Sequence, residues 1–449
     1  MAEKLNELNE IVTLLEKRRY IDLRRILSEM IPADIATVFD EIDAKDIPLL
    51  FRMLPKELAA DTFAYIDSDM QEKLILAFSD KELHDVIDEL FMDDTVDIIE
   101  EMPANVVSKI LKNVDVETRN LINELLNYPK DSAGSIMTTE YVALKPDMTV
   151  EQSFSHIRKV GVDKETIYTC YVIDNRKLVG LVSVKDLLIA SYEDKIEDIM
   201  ETNVISVHTH EDQEIVANMF NKYDFIAIPV VDKENRLVGI VTFDDAIDVI
   251  QEENEEDMEA MAAILPSDKP YMKTGIFETW KKRIPWLLLL MVSATFTGKI
   301  ITHFEDALGA YVVLTAFIPM LMDTGGNAGS QSSVTIIRGI SMDEIEFSDL
   351  LKVIWKEIRV AFMCGVTLAI AGFAKVIIVD HVEITVALVV SITLCVTVLI
   401  AKFIGCSLPI LVKKLGFDPA VMVSPFITTA VDAISLLLYF NVASALLNI

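Results

Sequence analysis

Three periodicities divide the chain. Up to about residue 130, apolar positions recur at three- and four-residue spacing, as in Ile11, Leu14, Leu15 and then Leu23, Ile26, Leu27. That spacing predicts short amphipathic helices. Pro32, Pro48, Pro55, Pro103 and Pro129 punctuate the pattern, and three similar units carry them: Ile31-Pro32-Ala33-Asp34-Ile35, Leu54-Pro55-Lys56-Glu57-Leu58 and Met102-Pro103-Ala104-Asn105-Val106. Proline fits the first turn of a helix, where its missing N–H is not needed, so each unit reads as a helix start. Their repetition predicts an all-α, superhelical domain over residues 1–130.

From residue 131 the pattern shortens to β-branched runs such as Tyr171-Val172-Ile173 and Ile228-Pro229-Val230-Val231. These read as buried strands. Two segments about 60 residues apart align with each other. Ile136-Met137 precedes Leu178-Val179-Gly180 and Ser183-Val184-Lys185-Asp186 in the first. Ile199-Met200 precedes Leu237-Val238-Gly239 and Thr242-Phe243-Asp244-Asp245 in the second. Each copy predicts a strand, a helix, a hairpin around a polar turn and a second helix, over 131–195 and 196–250. Residues 251–272 then form an acidic connecting helix.

From 273 to 449 five long apolar runs follow, at 284–302, 308–322, 358–379, 384–411 and 419–447. Most reach the roughly 20 residues that span hydrocarbon, which predicts a five-helix transmembrane domain. The second run is short and leads into a glycine-rich tail.

Charge sharpens the division. From Lys273 onward 13 basic residues balance 13 acidic ones, so the whole net charge of −31 lies in the first 272 residues. Nucleic acid is excluded as a partner, because binding a polyanion needs a basic face. Metal cations suit the excess. The N-terminal segment is charged and amphipathic, without a signal-peptide core. Lys281, Lys282, Arg283, Arg338, Lys352, Lys356, Arg359, Lys413 and Lys414 gather at one end of the spans, against Lys299 and Lys375 at the other. The soluble part is therefore expected in the cytosol and the C-terminus outside. Asp244 to Asp268 holds ten carboxylates and no Lys or Arg. Like charges at helical spacing repel, so the stretch reads as a solvated linker, or as a face that binds cations.

Three features carry candidate chemistry. Asp93 and Asp94, with Asp97 one turn later, offer a helix cap or oxygen ligands for a hard cation. Gly325, Asn327 and Gln331 lie in Asp323-Thr324-Gly325-Gly326-Asn327-Ala328-Gly329-Ser330-Gln331-Ser332, where irregular backbone is tolerated only when it lines a cavity or packs in protein. Asp432 lies near the middle of the fifth span, behind Pro425, Thr428 and Thr429. A carboxylate at that depth faces a bundle interior or a water path. It reads as a cation site, with a Lys402–Asp432 ion pair as the alternative. One carboxylate per chain suits Mg²⁺, which keeps most of its water, and suits a two-fold dimer better.

The duplicated IM, LVG and Ser/Thr-x-x-Asp pattern resembles a tandem cystathionine-β-synthase (CBS) domain pair. Such pairs often bind adenine nucleotides, which here makes Ser183, Lys185, Asp186, Phe225 and Thr242 candidate nucleotide contacts. The whole chain resembles the MgtE family of magnesium channels and transporters. That resemblance rests on Gly325 to Gly339, on 127–138 (NYPKDSAGSIMT) and on 425–432 (PFITTAVD). It implies a homodimer in the cytoplasmic membrane with Asp432 as the pore site. It implies Mg²⁺ as substrate and regulator, with cytosolic sites that close the pore. Matching residues are Asp245, Asp248, Glu253, Glu256 and Asp257, then Glu214 and Asp224, and then Glu57, Asp93, Asp94 and Asp97. The family's Arg before the first Ser/Thr-x-x-Asp carboxylate is here Lys185. The expectation is a Mg²⁺-gated Mg²⁺ transporter, not an enzyme, with ATP as a regulator. The alternatives are a membrane-anchored nucleotide sensor, or a transporter for Mn²⁺ or Co²⁺.

Overall fold

The computed structural model describes residues 2–267, 271–272, 274–342 and 344–447, without the side chains of 2–7, 306–307 and 421–425. The chain forms two compact units, Met1–Ile250 and Gln251–Ile449.

The first unit opens with ten short helices: α1 (Ala2–Glu16), α2 (Tyr20–Glu29), α3 (Pro32–Glu41), α4 (Ile47–Phe51), α5 (Lys56–Ala64), α6 (Ser68–Ala77), α7 (Asp80–Ile87), α8 (Met92–Glu101), α9 (Ala104–Asn113) and α10 (Val116–Leu125). The prolines act as expected. Pro32 opens α3, while Pro55 and Pro103 are the residues just before α5 and α9. Asp67, Ser79 and Asp115 cap α6, α7 and α10 through their side chains. From α3 onward, helices pack on the one two further along: α3 on α5, α5 on α7, α7 on α9, and likewise α4 on α6, α6 on α8 and α8 on α10. This stacking makes the superhelix, and Phe51, Phe63 and Phe78 meet inside it with ring centroids 5.2–6.2 Å apart.

Two three-stranded sheets follow. The first joins β1 (Val142–Leu144), β2 (Thr169–Asp174) and β3 (Lys177–Ser183), with helices α11 (Val150–Val160), α12 (Val184–Ile189) and α13 (Ile196–Ile199). The second joins β4 (Val207–His208), β5 (Ala227–Val231) and β6 (Leu237–Thr242), with α14 (Gln213–Tyr223) between β4 and β5. In both, the first strand runs parallel to the second and the third closes an antiparallel hairpin. The copies exchange their leading segments. Thr138 bridges Ile240 of the second sheet, and Glu201 bridges Leu181 of the first. The repeated Met and Gly are thereby explained. A β-carbon on Gly239 would lie 2.7 Å from the Met137 sulfur, and one on Gly180 2.7 Å from that of Met200.

Helix α15 (Phe243–Met261) leaves β6 and carries the acidic run. The helix expected over 251–272 instead starts inside the second sheet unit at Phe243 and ends at Met261, and over that length like-charge repulsion does not melt it. Its last turns pack Ala260 and Met261 among Ala328, Ile337, Val398, Ala420 and Val431 of the second unit. Met258 and Leu265, two further large apolar residues at this end, are exposed.

The second unit comprises α16 (Ile276–His303), α17 (Glu305–Ala310), α18 (Ile318–Ser341), α19 (Leu350–Ile378), α20 (Ile384–Lys414) and α21 (Pro419–Leu447). Among the described residues, four helical segments are long and apolar enough to cross a membrane: Ile276–His303, Phe347–Ile378, Ile384–Lys414 and Phe426–Leu447. The fifth long helix is α18, and its position corrects the expected second span. Residues 308–322 do not form one helix. The chain passes from α17 through a 3₁₀ turn, Val312–Phe317, and α18 begins only at Ile318. The glycine-rich tail is regular α-helix, because its small residues let neighbouring helices close in and satisfy the helix by packing. A β-carbon on Gly325 would lie 2.8 Å from Thr397, and one on Gly405 2.3 Å from the Gly329 carbonyl oxygen. Pro425 falls among the residues whose side chains lie outside the described set.

Candidate cation sites

In the first unit, α8 presents two carboxylates in its first turn. The residue that precedes the helix is Phe91, which makes no side-chain cap, so neither Asp93 nor Asp94 caps it. Asp93 is only 7% exposed and accepts a hydrogen bond from the Asp94 N–H at 2.9 Å. Burial holds its pKa well above the ordinary carboxylate value, helped by the charges of Asp245, Asp94 and Glu165. Asp94 is pushed up to about 6, by burial first and then by Asp245, Asp244, Asp61 and Glu140. At the start of α15, burial raises Asp245 to about 6 against a hydrogen bond from the Thr242 hydroxyl, with Asp244 and Asp248 adding to the rise. Burial and Asp244 raise Asp248 as well. The strongest neighbouring charges acting on these groups are all carboxylates.

Sequence reasoning missed one central member. Glu165 lies in the loop before β2, and its backbone N–H is bonded to the Glu140 carbonyl at 2.9 Å. Burial raises it to about 8, followed by Asp244, Asp245, Asp94 and Glu140. Its Oε2 is buried without a hydrogen-bond partner. No periodic signal marks this loop residue. Asp244 and Glu140 were legible only as part of the general acidity.

The other expected sensing residues do not converge there. Glu57 acts on Asp61 at the margin, and Asp97 is exposed. Glu214 lies in the first turn of α14 and Asp224 is its C-cap, in the left-handed conformation (φ 55°). The ten-residue rise separates them by ~15 Å, so they do not share one ion. Glu253, Glu256 and Asp257 lie on the later half of α15. Burial raises Asp257, and the Asp418 carboxylate raises it further, while the Ser341 hydroxyl donates to it at 3.4 Å. Asp418 was not expected from sequence. Among the described residues, no three His, Cys, Asp or Glu side chains are placed to hold one ion directly.

In the second unit α18 has two faces. Leu321, Gly325, Ala328, Gly329, Ser332 and Ile336 are buried. Asp323, Asn327 and Gln331, each four residues from the last, are exposed. Gly325 is therefore packing and not a lining residue, since Thr397, Val431 and Ser435 crowd it. On α21, Thr428 is exposed, while Thr429 and Asp432 are half-buried. Asp323 lies near enough to Asp432 to act on it electrostatically. Lys402 is engaged elsewhere, with Glu357 at 3.7 Å and the Ser332 hydroxyl at 3.1 Å, so the alternative Lys402–Asp432 pair does not form.

At the expected nucleotide contacts, Ser183 caps α12 in a reciprocal box with Asp186. The Thr242 hydroxyl and backbone N–H both donate to Asp245. Phe225 stacks on Tyr223 at 5.4 Å, and Lys185 is exposed.

Comparison with known proteins places the chain as a whole. The profile described as MgtE, divalent cation transporter, matches residues 318–442. The MgtE intracellular N domain matches 30–131, and CBS domains match 133–193 and 196–252. The magnesium transporter MgtE of Thermus thermophilus is 35% identical over 431 residues, 95% of both chains. The chain belongs to the MgtE family. The MgtE magnesium transporter of Bacillus subtilis is 34% identical, covering 98% of this chain and 97% of its own. A crystal structure of the cytosolic domain of the Mg²⁺ channel MgtE in complex with ATP matches with 36% identity and a TM-score of 0.51. It covers 53% of this chain and 99% of that one. The helical superhelix, the CBS pair and the apolar helices are thus family features, and the chain is a multi-pass membrane protein of a transporter family.

Proposed function

We propose that this chain carries Mg²⁺ across the cytoplasmic membrane as a transporter, not an enzyme, and that Asp432 is its principal ion site. The carrying observation is the polar stripe of Asp323, Asn327 and Gln331 on α18, electrostatically linked to Asp432 on α21. A carboxylate attracts the dication. Amides and hydroxyls bind the water that Mg²⁺ gives up reluctantly. The hard oxygen donors disfavour softer ions. This stripe is open in one chain, which suits a homodimer with the path between two copies. The CBS pair supports self-association too. The structurally equivalent Leu188 and Ile247 are 70% and 45% exposed. The excess of basic residues at one end of the spans supports a cytosolic N-terminal unit and an external C-terminus.

Regulation follows from the first unit's carboxylates. Asp93, Asp94, Glu165, Asp245 and Asp248 repel one another when ionised. Mg²⁺ from the cytosol relieves that repulsion and draws α8, the CBS pair and α15 together, which closes the path. Glu214, Asp224, Glu253, Glu256 and Asp257 serve as lesser contacts. The relative solved with ATP supports nucleotide as a second regulator, with Ser183, Lys185, Asp186, Phe225 and Thr242 as its contacts. Calorimetry with ATP and AMP tests this part. For transport the test is Asp432→Ala in proteoliposomes. Mg²⁺ flux is expected to fall to background, and flux equal to that of the unaltered protein would sink the assignment. Parallel uptake of Mn²⁺ and Co²⁺ defines the selectivity.

A further inference from the structure

Three buried polar groups tie α18 to its scaffold. The Ser332 hydroxyl donates to Glu357 Oε2 at 2.7 Å and accepts from the Lys402 ammonium at 3.1 Å. Lys402 and Glu357 lie 3.7 Å apart, with side chains only 8% and 13% exposed. The three residues come from α18, α20 and α19. A charged pair inside an apolar bundle is costly, and such groups are rarely retained without a task. Packing here does not need it. One turn before Ser332, Gly329 already touches α20, since a β-carbon on Gly405 would meet its carbonyl oxygen at 2.3 Å. Small residues set the distance between helices but leave α18 free to rotate or slide. A directional charge-assisted bond fixes both.

We propose that the Glu357–Lys402 pair is a positioning element for the ion path, acting through Ser332 to set the rotation of α18 and hence the aim of Asp323, Asn327 and Gln331. Gln331 is the residue before Ser332, so a turn of the helix at Ser332 moves its amide directly. The pair also keeps the Lys402 charge engaged away from the path of a cation. The proposal rests on the reading of this face as the ion path.

The test uses the full-length protein in proteoliposomes, with Mg²⁺ and Ca²⁺ flux measured on the same preparations. Ser332→Ala removes the bridging hydroxyl and leaves the ion pair. It is expected to lower Mg²⁺ flux about tenfold, the scale seen when a group orienting a metal site is lost. It is also expected to lower the Mg²⁺/Ca²⁺ ratio, with thermal midpoint and gel-filtration profile unchanged. Glu357→Gln should do the same, and the charge swap Glu357→Lys with Lys402→Glu should recover much of the flux. A merely structural pair predicts altered stability with unaltered selectivity. If Ser332→Ala keeps both flux and ion ratio, the proposal is wrong, even where Glu357→Gln fails to fold. Asp432→Ala runs alongside. Unchanged flux there overturns the ion-path reading itself, whereas its loss with normal Ser332→Ala overturns only the positioning role.

Discussion

A carboxylate removed from water must find a cation, a donor or a proton, and individual residues here differ in which they find. Glu357 has Lys402 and Ser332. Asp94 and Asp245 have mainly other carboxylates, so each binds a proton up to about pH 6, and Glu165 up to about 8. The sign of the pH effect follows. These groups hold protons more tightly folded than unfolded, so stability falls as pH rises from the ordinary carboxylate range through 6 and on to 8. Mg²⁺ competes with those protons. The rise in thermal midpoint caused by Mg²⁺ on the full-length protein in detergent is therefore expected to grow from pH 6 to pH 8. A rise that is flat or shrinks with pH would show that this group does not hold the ion. Substituting Glu165→Gln should flatten the upper part of the profile. That residue was invisible in the sequence because nothing in a loop reports which charges the fold brings together.

At the scale of elements, α18 shows where pattern reading succeeds and fails. Apolar runs place a second span at 308–322, but the helix that matters runs from Ile318 to Ser341. Its exposed side carries Asp323, Asn327 and Gln331 and its buried side is largely glycine, alanine and serine. Neither raises hydropathy, so a search for continuous apolar sequence passes over it. The spacing of Leu321, Gly325, Ala328, Ser332 and Ile336 was legible as a helical face once small residues count as buried. Closeness is the physical content of that face. Gly405→Ala is expected to force α20 off the Gly329 carbonyl and destabilise the bundle by roughly 1–3 kcal/mol, seen as a lower thermal midpoint with reduced flux. Gly298→Ala, which meets nothing within 4 Å, serves as the control and should match the unaltered protein. The CBS copies, by contrast, were fully legible, because the same Met-on-Gly contact is made twice and so is written twice in the sequence. In the N domain α3, α4, α5 and α9 were legible through the prolines at their starts, whereas the remaining short helices carry no such mark.

Across the whole molecule, the net charge of −31 confined to the first 272 residues admits two accounts of the proposed regulation, and they predict different responses to salt. If closure needs only the relief of diffuse repulsion, monovalent ions should substitute for Mg²⁺, since ~0.15 M salt shortens the reach of exposed charges to about 8 Å. If closure depends on the buried group around Asp93, Asp94, Glu165 and Asp245, monovalent salt should do little, because screening acts weakly on charges removed from solvent. The raised pKa values favour the second account, as burial is the largest cause of each. Internal Mg²⁺ should then still close the path in 0.3 M KCl at nearly the same concentration as in low salt. Replacing Asp94, Asp245 and Asp248 by Asn together should raise the closing concentration by about tenfold or more while leaving flux through the open path intact. Patch recording or stopped-flow uptake at stepped internal Mg²⁺ separates the cases. Closure by KCl alone, or a triple variant that closes at the ordinary concentration, would return regulation to the diffuse charge of the whole soluble unit.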